Sequence, residues 1–93
     1  MNDFIDTLFA TIQERQANPR PGSYTNSLFA AGEDEIVKKI GEEAVEIILA
    51  VKGQGKTRVV EETADLVYHL LVLLAAQELT WDDVRAELTK RQQ

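Results

Sequence analysis

Apolar residues recur at three- and four-residue spacing along most of the chain, which is the pattern of amphipathic helices. No segment alternates apolar and polar residues as a half-buried strand does. Pro19 and Pro21 lack an amide hydrogen and end the first periodic segment. We expect Asn2 or Asp3 to cap the first helix and Thr80 the last. The pattern predicts an all-α bundle of four to five helices, at about 3–17, 25–31, 33–52, 56–78 and 81–90.

The second half of the fourth predicted helix is apolar on nearly every side. Residues 66–76 are interrupted only by Tyr68 and His69. Eleven helical residues span about 16 Å, far less than the roughly 30 Å hydrocarbon core of a membrane, so the segment is not a membrane span. A chain of 93 residues has few other helices to cover it. We therefore expect a single domain over 1–93 that is completed by homodimerisation.

Composition narrows the class of protein. Apolar residues make up 44% of the chain and charged residues 28%, as in folded globular domains. Cysteine is absent, which excludes disulfides, thiolate metal sites and cysteine nucleophiles. The net charge of −6 argues against nucleic acid or an anionic membrane as the main partner. Acidic Asp3 stands where a targeting peptide needs basic residues, so we expect a cytoplasmic protein.

Two neighbouring helices each carry a stripe of charged residues. On the third helix a sector of about 100° contains Lys39, Glu42, Glu43 and Glu46. On the fourth a sector of about 60° contains Arg58, Glu62, Asp65 and His69. The helices are joined by a short corner at residues 53–55, so they should pack antiparallel with the acids level. We expect up to five carboxylates to converge there: Glu42, Glu43, Glu46, Glu62 and Asp65.

Converging carboxylates require a counterion. Bare carboxylates between packed helices would repel each other and would lose their hydration. An all-oxygen ligand set without sulfur suits Mg²⁺, with Mn²⁺ as a substitute, rather than Zn²⁺. Because Mg²⁺ commonly binds substrate phosphates as well, the spacing indicates phosphate-ester or anhydride chemistry. The competing interpretation is a solvated helix face, to which charged runs usually belong.

Other polar residues have two interpretations each. Lys39 either pairs with Glu43 or reaches a substrate phosphate. Arg20 is either a surface arginine or, with the hydroxyls of Ser23 and Thr25, a phosphate ligand. His69, the single histidine, fits a hydrogen-bonded core residue better than a ligand.

Three segments resemble a known family. They are Ser-Tyr-Thr-Asn-Ser-Leu at 23–28, Lys-Lys-Ile-Gly-Glu-Glu-Ala-Val-Glu at 38–46 and Glu-Glu-Thr-Ala-Asp-Leu-Val-Tyr-His at 61–69. The sequence is similar over about residues 4–91 to the phosphoribosyl-ATP pyrophosphohydrolases of histidine biosynthesis. These belong with the MazG-like proteins to the all-α nucleoside-triphosphate pyrophosphatases. The acidic motifs are shared by that superfamily, whereas the Ser-Tyr-Thr segment points to the one family.

The resemblance implies Mg²⁺-dependent hydrolysis of phosphoribosyl-ATP to phosphoribosyl-AMP and pyrophosphate by a homodimer. It implies a set of metal ligands: Glu43, Glu46, Glu62 and Asp65. Glu42 would be a further ligand or would orient the attacking water, and either Glu42 or Glu46 would be the base. A substrate-binding segment is implied at Ser23, Tyr24 and Thr25.

Two other functions fit the same carboxylates. One is a house-cleaning nucleoside-triphosphate pyrophosphatase of the MazG-like type, which would differ only in its contacts to base and ribose. The other is a non-enzymatic helical dimer that binds a metal or a partner protein.

Overall fold

The computed structural model describes residues 3–92, and every regular element within them is a helix. The five helices are α1 (Phe4–Ala17), α2 (Tyr24–Ala31), α3 (Glu33–Gly53), α4 (Lys56–Ala76) and α5 (Trp81–Arg91). The predicted all-α bundle is therefore confirmed, with helix ends that differ from the predicted ones by one or two residues. No helix in the described part of the chain is long and apolar enough to cross a bilayer.

Capping boxes begin the first and last helices. The Asp3 carboxylate accepts from the amides of Ile5 and Asp6, and the Asp6 carboxylate accepts from the Asp3 amide. Thr80 and Asp83 make the same reciprocal pair in front of α5. Asp3 and Thr80 thus act as the predicted caps, and Asn2 lies outside the described residues.

A single residue, Gly32, joins α2 to α3. Its φ of 101° and ψ of 172° lie in a region that is essentially restricted to glycine. The Gly32 amide donates to the carbonyl of Leu28 and closes α2, while its carbonyl accepts from the amide of Ile36 and opens α3. The two helices therefore meet at a sharp corner, as the glycine after the short helix predicts.

Helix α4 ends at Ala76, two residues before the predicted end. Glu78 adopts a left-handed φ of 60°, and the Leu79 amide donates to the Leu74 carbonyl at 2.8 Å. The Glu78 amide donates to the carbonyl of Ala75. This is a Schellman arrangement, which normally places glycine at the left-handed position. Because a glutamate stands there, the sequence carries no stop signal.

The core lies at the end of the molecule away from the α3–α4 corner. It joins α1 and α2 to the first turns of α3 and the last turns of α4, through Phe9, Ile12, Leu28, Ile36, Leu71, Val72 and Ala75. Trp81 packs the start of α5 against it. The antiparallel hairpin of α3 and α4 extends beyond this core and carries the charged stripes along its middle.

Near the corner end of the hairpin, apolar side chains are exposed in the described part of the chain. Five large apolar side chains are 47–69% exposed there and form what we call the hairpin-tip surface: Val45, Ile48, Leu49, Val51 and Val60. The radius of gyration is 14.3 Å, against about 12 Å for a compact domain of this length. The chain by itself is thus extended, with apolar surface along its projecting arm.

Candidate active site

Three carboxylates meet between α3 and α4. Oxygen atoms of Glu43, Glu62 and Asp65 all lie within 4.8 Å of one another. Glu43 comes from α3, whereas Glu62 and Asp65 are one turn apart on α4, so the register of the hairpin brings them level. Glu62 is only 5% exposed, Glu43 is half-buried and Asp65 is exposed. The cluster therefore has a buried wall and an open side. We call it the acid cluster.

The electrostatics of the acid cluster favour a bound cation. The pKa of Glu43 is raised, first by burial, then by a hydrogen bond shared with Glu62 and by the charges of Asp65 and Glu62. A raised pKa means that the ionised form is disfavoured when no cation is present. The donors are carboxylate oxygens, which are the ligands of Mg²⁺ and Mn²⁺. The residues present therefore fit a hard divalent ion.

Arg58 holds the buried member of the acid cluster. Its guanidinium donates to Glu62 Oε1 at 2.5 Å and to Glu61 Oε1 at 2.7 Å. These pairs raise the pKa of Arg58, with the Glu61 hydrogen bond as the largest cause. Because Glu62 is buried and Glu61 is exposed, Arg58 links the site to the surface along one face of α4.

The remaining carboxylates of the α3 stripe lie apart from the acid cluster. Glu46 is half-buried but does not belong to the group of three, and Glu42 is exposed. On a helical wheel Glu43 lies about 60° nearer to the apolar face than Glu46 and about 100° nearer than Glu42. Since α4 packs on that apolar face, only Glu43 reaches the acids of α4. Among the described residues, the structure thus brings together three of the five carboxylates that were expected to converge.

Lys39 pairs with a different partner from the predicted one. Its ammonium lies 3.6 Å from Glu42 Oε1, three residues on, and not beside Glu43. The nearby Tyr24 phenol, when ionised, is the largest cause that raises the pKa of Lys39, and Glu42 is the next. The Lys39 side chain is 33% exposed, so its ammonium remains accessible from solvent.

The Ser-Tyr-Thr segment is fastened to α4 and to its own helix. The Ser23 hydroxyl accepts from the Asn26 amide and caps α2. The Thr25 hydroxyl bonds the hydroxyl of Tyr68. Tyr24 bonds His69 Nε2 at 3.1 Å, and its ring stacks on Tyr68 with centroids 6.2 Å apart. All three hydroxyls therefore have partners within the protein.

His69 is a buried and fully hydrogen-bonded residue. It is 5% exposed, and its Nδ1 lies 2.7 Å from the carbonyl oxygen of Asp65, one turn earlier. Its Nε2 bonds Tyr24. The expectation of a satisfied core histidine is correct, although sequence reasoning did not foresee that its partner belongs to α2.

A cavity of about 530 Å³ that is open to solvent lies beside α2. Arg20, Ser23, Tyr24 and Ser27 are among its lining residues. The Arg20 side chain is 61% exposed, and its guanidinium lies 3.9 Å from Glu14 Oε1. The guanidinium is thus accessible at the rim of the cavity.

Sequence reasoning missed Asn26, which shapes the segment between α1 and α2. Asn26 donates to the carbonyl of Arg15 at 2.7 Å and accepts from the amide of Arg20 at 2.8 Å. It therefore clamps residues 15–20 against α2. The only sequence signal is the general tendency of asparagine side chains near loops to bond backbone groups.

A comparison of this chain with models of known protein families identifies its family. The family model for phosphoribosyl-ATP pyrophosphohydrolase matches residues 5–92, nearly the whole chain. The chain belongs to this family. The acid cluster and the α2 segment both lie within the matched range, so the pyrophosphohydrolase family model covers every residue of the candidate site.

Curated relatives of this pyrophosphohydrolase-family chain carry a consistent name. A protein of Limosilactobacillus fermentum is 50% identical over 88 residues, which are 95% of this chain and 83% of the relative. One of Bacillus thuringiensis is 50% identical and one of Bacillus anthracis 48% identical, each over 91 residues, or 98% of this chain and 85% of the relative. All three are named phosphoribosyl-ATP pyrophosphatase.

Proposed function

We propose that this chain hydrolyses phosphoribosyl-ATP to phosphoribosyl-AMP and pyrophosphate in histidine biosynthesis. Membership of the family supports the reaction, and the observation that carries the site is the acid cluster of Glu43, Glu62 and Asp65. The proposal includes a single catalytic domain over residues 1–93 and a cytoplasmic location.

The acid cluster is the proposed Mg²⁺ site, with Glu46 as the proposed fourth ligand and with Mn²⁺ as a substitute. The ion would neutralise phosphate oxygens and lower the pKa of a bound water. The protein's part is to hold the ligand oxygens: Arg58 restrains Glu62, and the hairpin fixes Glu43 opposite it. Such outer contacts align metal-binding carboxylates.

Glu42 and Glu46 are the proposed proton acceptors for the attacking water. Both lie on the solvent side of Glu43 along the α3 stripe, where neither is held in the acid cluster. A carboxylate not bound to the cation keeps its lone pairs for a proton. The two roles of Glu46 exclude each other: where Glu46 is the fourth ligand of the ion, the base is Glu42, which pairs with Lys39 at 3.6 Å.

Cationic side chains beside the site are the proposed phosphate contacts. Lys39 lies one turn before Glu43 on α3, and Arg20 lines the cavity beside α2. Both are exposed enough to meet a ligand, and phosphate binding by ammonium and guanidinium groups is favourable. Ser23, Tyr24 and Thr25 complete the proposed substrate segment, in which they shape the wall through their internal hydrogen bonds.

A second copy of the chain is the proposed cover for the hairpin-tip surface. Monomeric domains seldom leave so many large apolar side chains exposed together. A symmetric dimer that pairs the two projecting arms would bury them and complete a helical bundle. We therefore propose a homodimer.

The test is a pyrophosphate-release assay. The pure chain is incubated with phosphoribosyl-ATP, ATP or dCTP, each with Mg²⁺ and with excess EDTA. We expect release from phosphoribosyl-ATP only, abolished by EDTA and restored by Mg²⁺ or Mn²⁺. Equal turnover of ATP and dCTP would favour the house-cleaning activity. No release from any nucleotide would favour the non-enzymatic dimer.

A further inference from the structure

The proposed reaction does not use His69, although His69 connects the two halves of the site. It is 5% exposed, and it lies between the Asp65 carbonyl on one side and the Tyr24 hydroxyl on the other. The ring of Tyr68 packs edge-on against the imidazole, with centroids 5.0 Å apart. A histidine fixed from three sides has a defined orientation.

The hydrogen bonds of His69 have a direction. A carbonyl oxygen only accepts, so the Nδ1 that lies 2.7 Å from the Asp65 oxygen carries a proton. In the neutral imidazole Nε2 then has a lone pair and accepts the hydrogen bond of Tyr24 at 3.1 Å. Tyr24 has only one hydroxyl proton and gives it to His69.

The donated proton decides what Tyr24 can bind. The Tyr24 oxygen has no second proton to donate, so it can only accept a hydrogen bond from a further partner. Tyr24 is 51% exposed and lines the cavity. Ionised phosphate oxygens also only accept hydrogen bonds, so they are poor partners for this oxygen. A sugar hydroxyl has a proton to donate and is a suitable partner.

We propose that His69 is a positioning residue that holds the Tyr24 hydroxyl as a hydrogen-bond acceptor for a sugar hydroxyl of the bound nucleotide. The phosphates are then left to Lys39 and Arg20. This inference rests on the proposed function, because it assumes a phosphoribosyl nucleotide in the site.

The experiment compares two ligands by calorimetry at pH 8. Phosphoribosyl-AMP has sugar hydroxyls, whereas inorganic pyrophosphate has none. Loss of one neutral hydrogen bond corresponds to about a two- to twelvefold change in affinity. We expect Tyr24→Phe to weaken phosphoribosyl-AMP by that factor and to leave pyrophosphate unchanged.

Variants of His69 separate positioning from packing. In His69→Gln the amide reaches the place of Nε2 and can still accept from Tyr24, so binding of phosphoribosyl-AMP should stay within about twofold of wild type. His69→Asn retains a donor for the Asp65 carbonyl but does not reach Tyr24, so it should match Tyr24→Phe. The double variant Tyr24→Phe/His69→Asn should bind no more weakly than Tyr24→Phe alone.

Tyr68→Phe is the matched control, because it removes the neighbouring hydroxyl that bonds Thr25. All variants are first checked for helix content and thermal unfolding. Unchanged binding in Tyr24→Phe, equal weakening of pyrophosphate, or equal weakening in Tyr68→Phe would overturn the inference while leaving the proposed function standing. If the wild-type chain neither binds phosphoribosyl-AMP nor releases pyrophosphate from phosphoribosyl-ATP, both this inference and the proposed function are overturned.

Discussion

Glu61 and Glu62 are adjacent in the sequence and have opposite surroundings. Arg58 donates to both, but Glu62 is buried in the acid cluster whereas the Glu61 side chain is 54% exposed. Substituting each glutamate in turn therefore tests which carboxylate belongs to the site, because the two residues carry the same charge and differ in where their oxygen atoms lie.

We predict that Glu62→Gln abolishes most activity and that Glu61→Gln does not. Even outer-shell partners of metal ligands are worth about 10–100-fold, so loss of the ligand itself should lower kcat/KM by more than about 100-fold. Glu61→Gln should stay within about threefold. The measurements are pyrophosphate release and Mn²⁺ binding, with circular dichroism as the check on folding. Equal behaviour of the two variants would reject this assignment.

Helical phase predicted the members of the acid cluster but not all of their partners. The three- and four-residue steps predicted that Glu43, Glu62 and Asp65 lie on the charged stripes of α3 and α4, because a helix fixes which side chains share a face. The bond between Tyr24 and His69 joins residues 45 positions apart on different helices. Such a contact depends on how α2 packs on α4, which periodicity within one helix does not contain.

At the scale of elements, α5 is attached more loosely than the other helices. None of its residues is buried, and it is held by Trp81 on the core and by Arg85. The Arg85 guanidinium donates to both oxygens of Asp6 on α1, at 2.6 and 3.0 Å, and also to Asp82. The attachment of α5 to α1 is therefore largely ionic.

We predict that this attachment weakens in acid. The Arg85 guanidinium lowers the pKa of Asp6 from 3.8 to about 2. A carboxyl whose pKa is depressed by folding contributes stability that is complete above pH 4 and is lost as the pH falls toward 2. Urea unfolding of wild type and Arg85→Gln should thus differ in midpoint at pH 7 and converge near pH 2.

The matched control for this comparison is Lys90→Gln, which removes the same charge from an exposed position of α5. Its midpoint should stay close to that of wild type at both pH values. A difference between wild type and Arg85→Gln that is as large at pH 2 as at pH 7 would contradict the assignment to the carboxyl groups.

Element boundaries were predictable where a residue type marks them. Asp3, Thr80 and Gly32 have strong positional preferences, and the corresponding ends lie where they were expected. The end of α4 was missed because Glu78 occupies a left-handed position that local preference assigns to glycine. The two hydrogen bonds that close the turn stabilise a conformation that the residue itself disfavours.

At the scale of the whole molecule, the uncovered end of the hairpin is the main departure from a self-contained domain. The acid cluster lies on the same two helices as the hairpin-tip surface. Sequence patterning predicted that residues 66–76 would need cover from a second copy, and this location is wrong, because none of these residues is exposed in the single chain and the exposed apolar side chains lie at the tip instead. Their location follows from where α1 and α2 pack.

We predict that Ile48→Glu disrupts the proposed dimer. Ile48 is 58% exposed in the single chain, and a carboxylate there would lose its hydration in the interface. Sedimentation equilibrium should give monomers at concentrations where wild type is dimeric. Leu88→Glu is the control, because Leu88 is similarly exposed, at 61%, but lies on α5. Equal behaviour of the two variants would place the interface elsewhere.

The chain has one tryptophan, and it stands where α5 meets the core. Ultraviolet emission from Trp81 therefore comes from a single site and changes when its indole moves from apolar surroundings into water. Detachment of the last helix can be followed by fluorescence without attaching a dye, and it can be timed separately from the helix signal of the molecule as a whole.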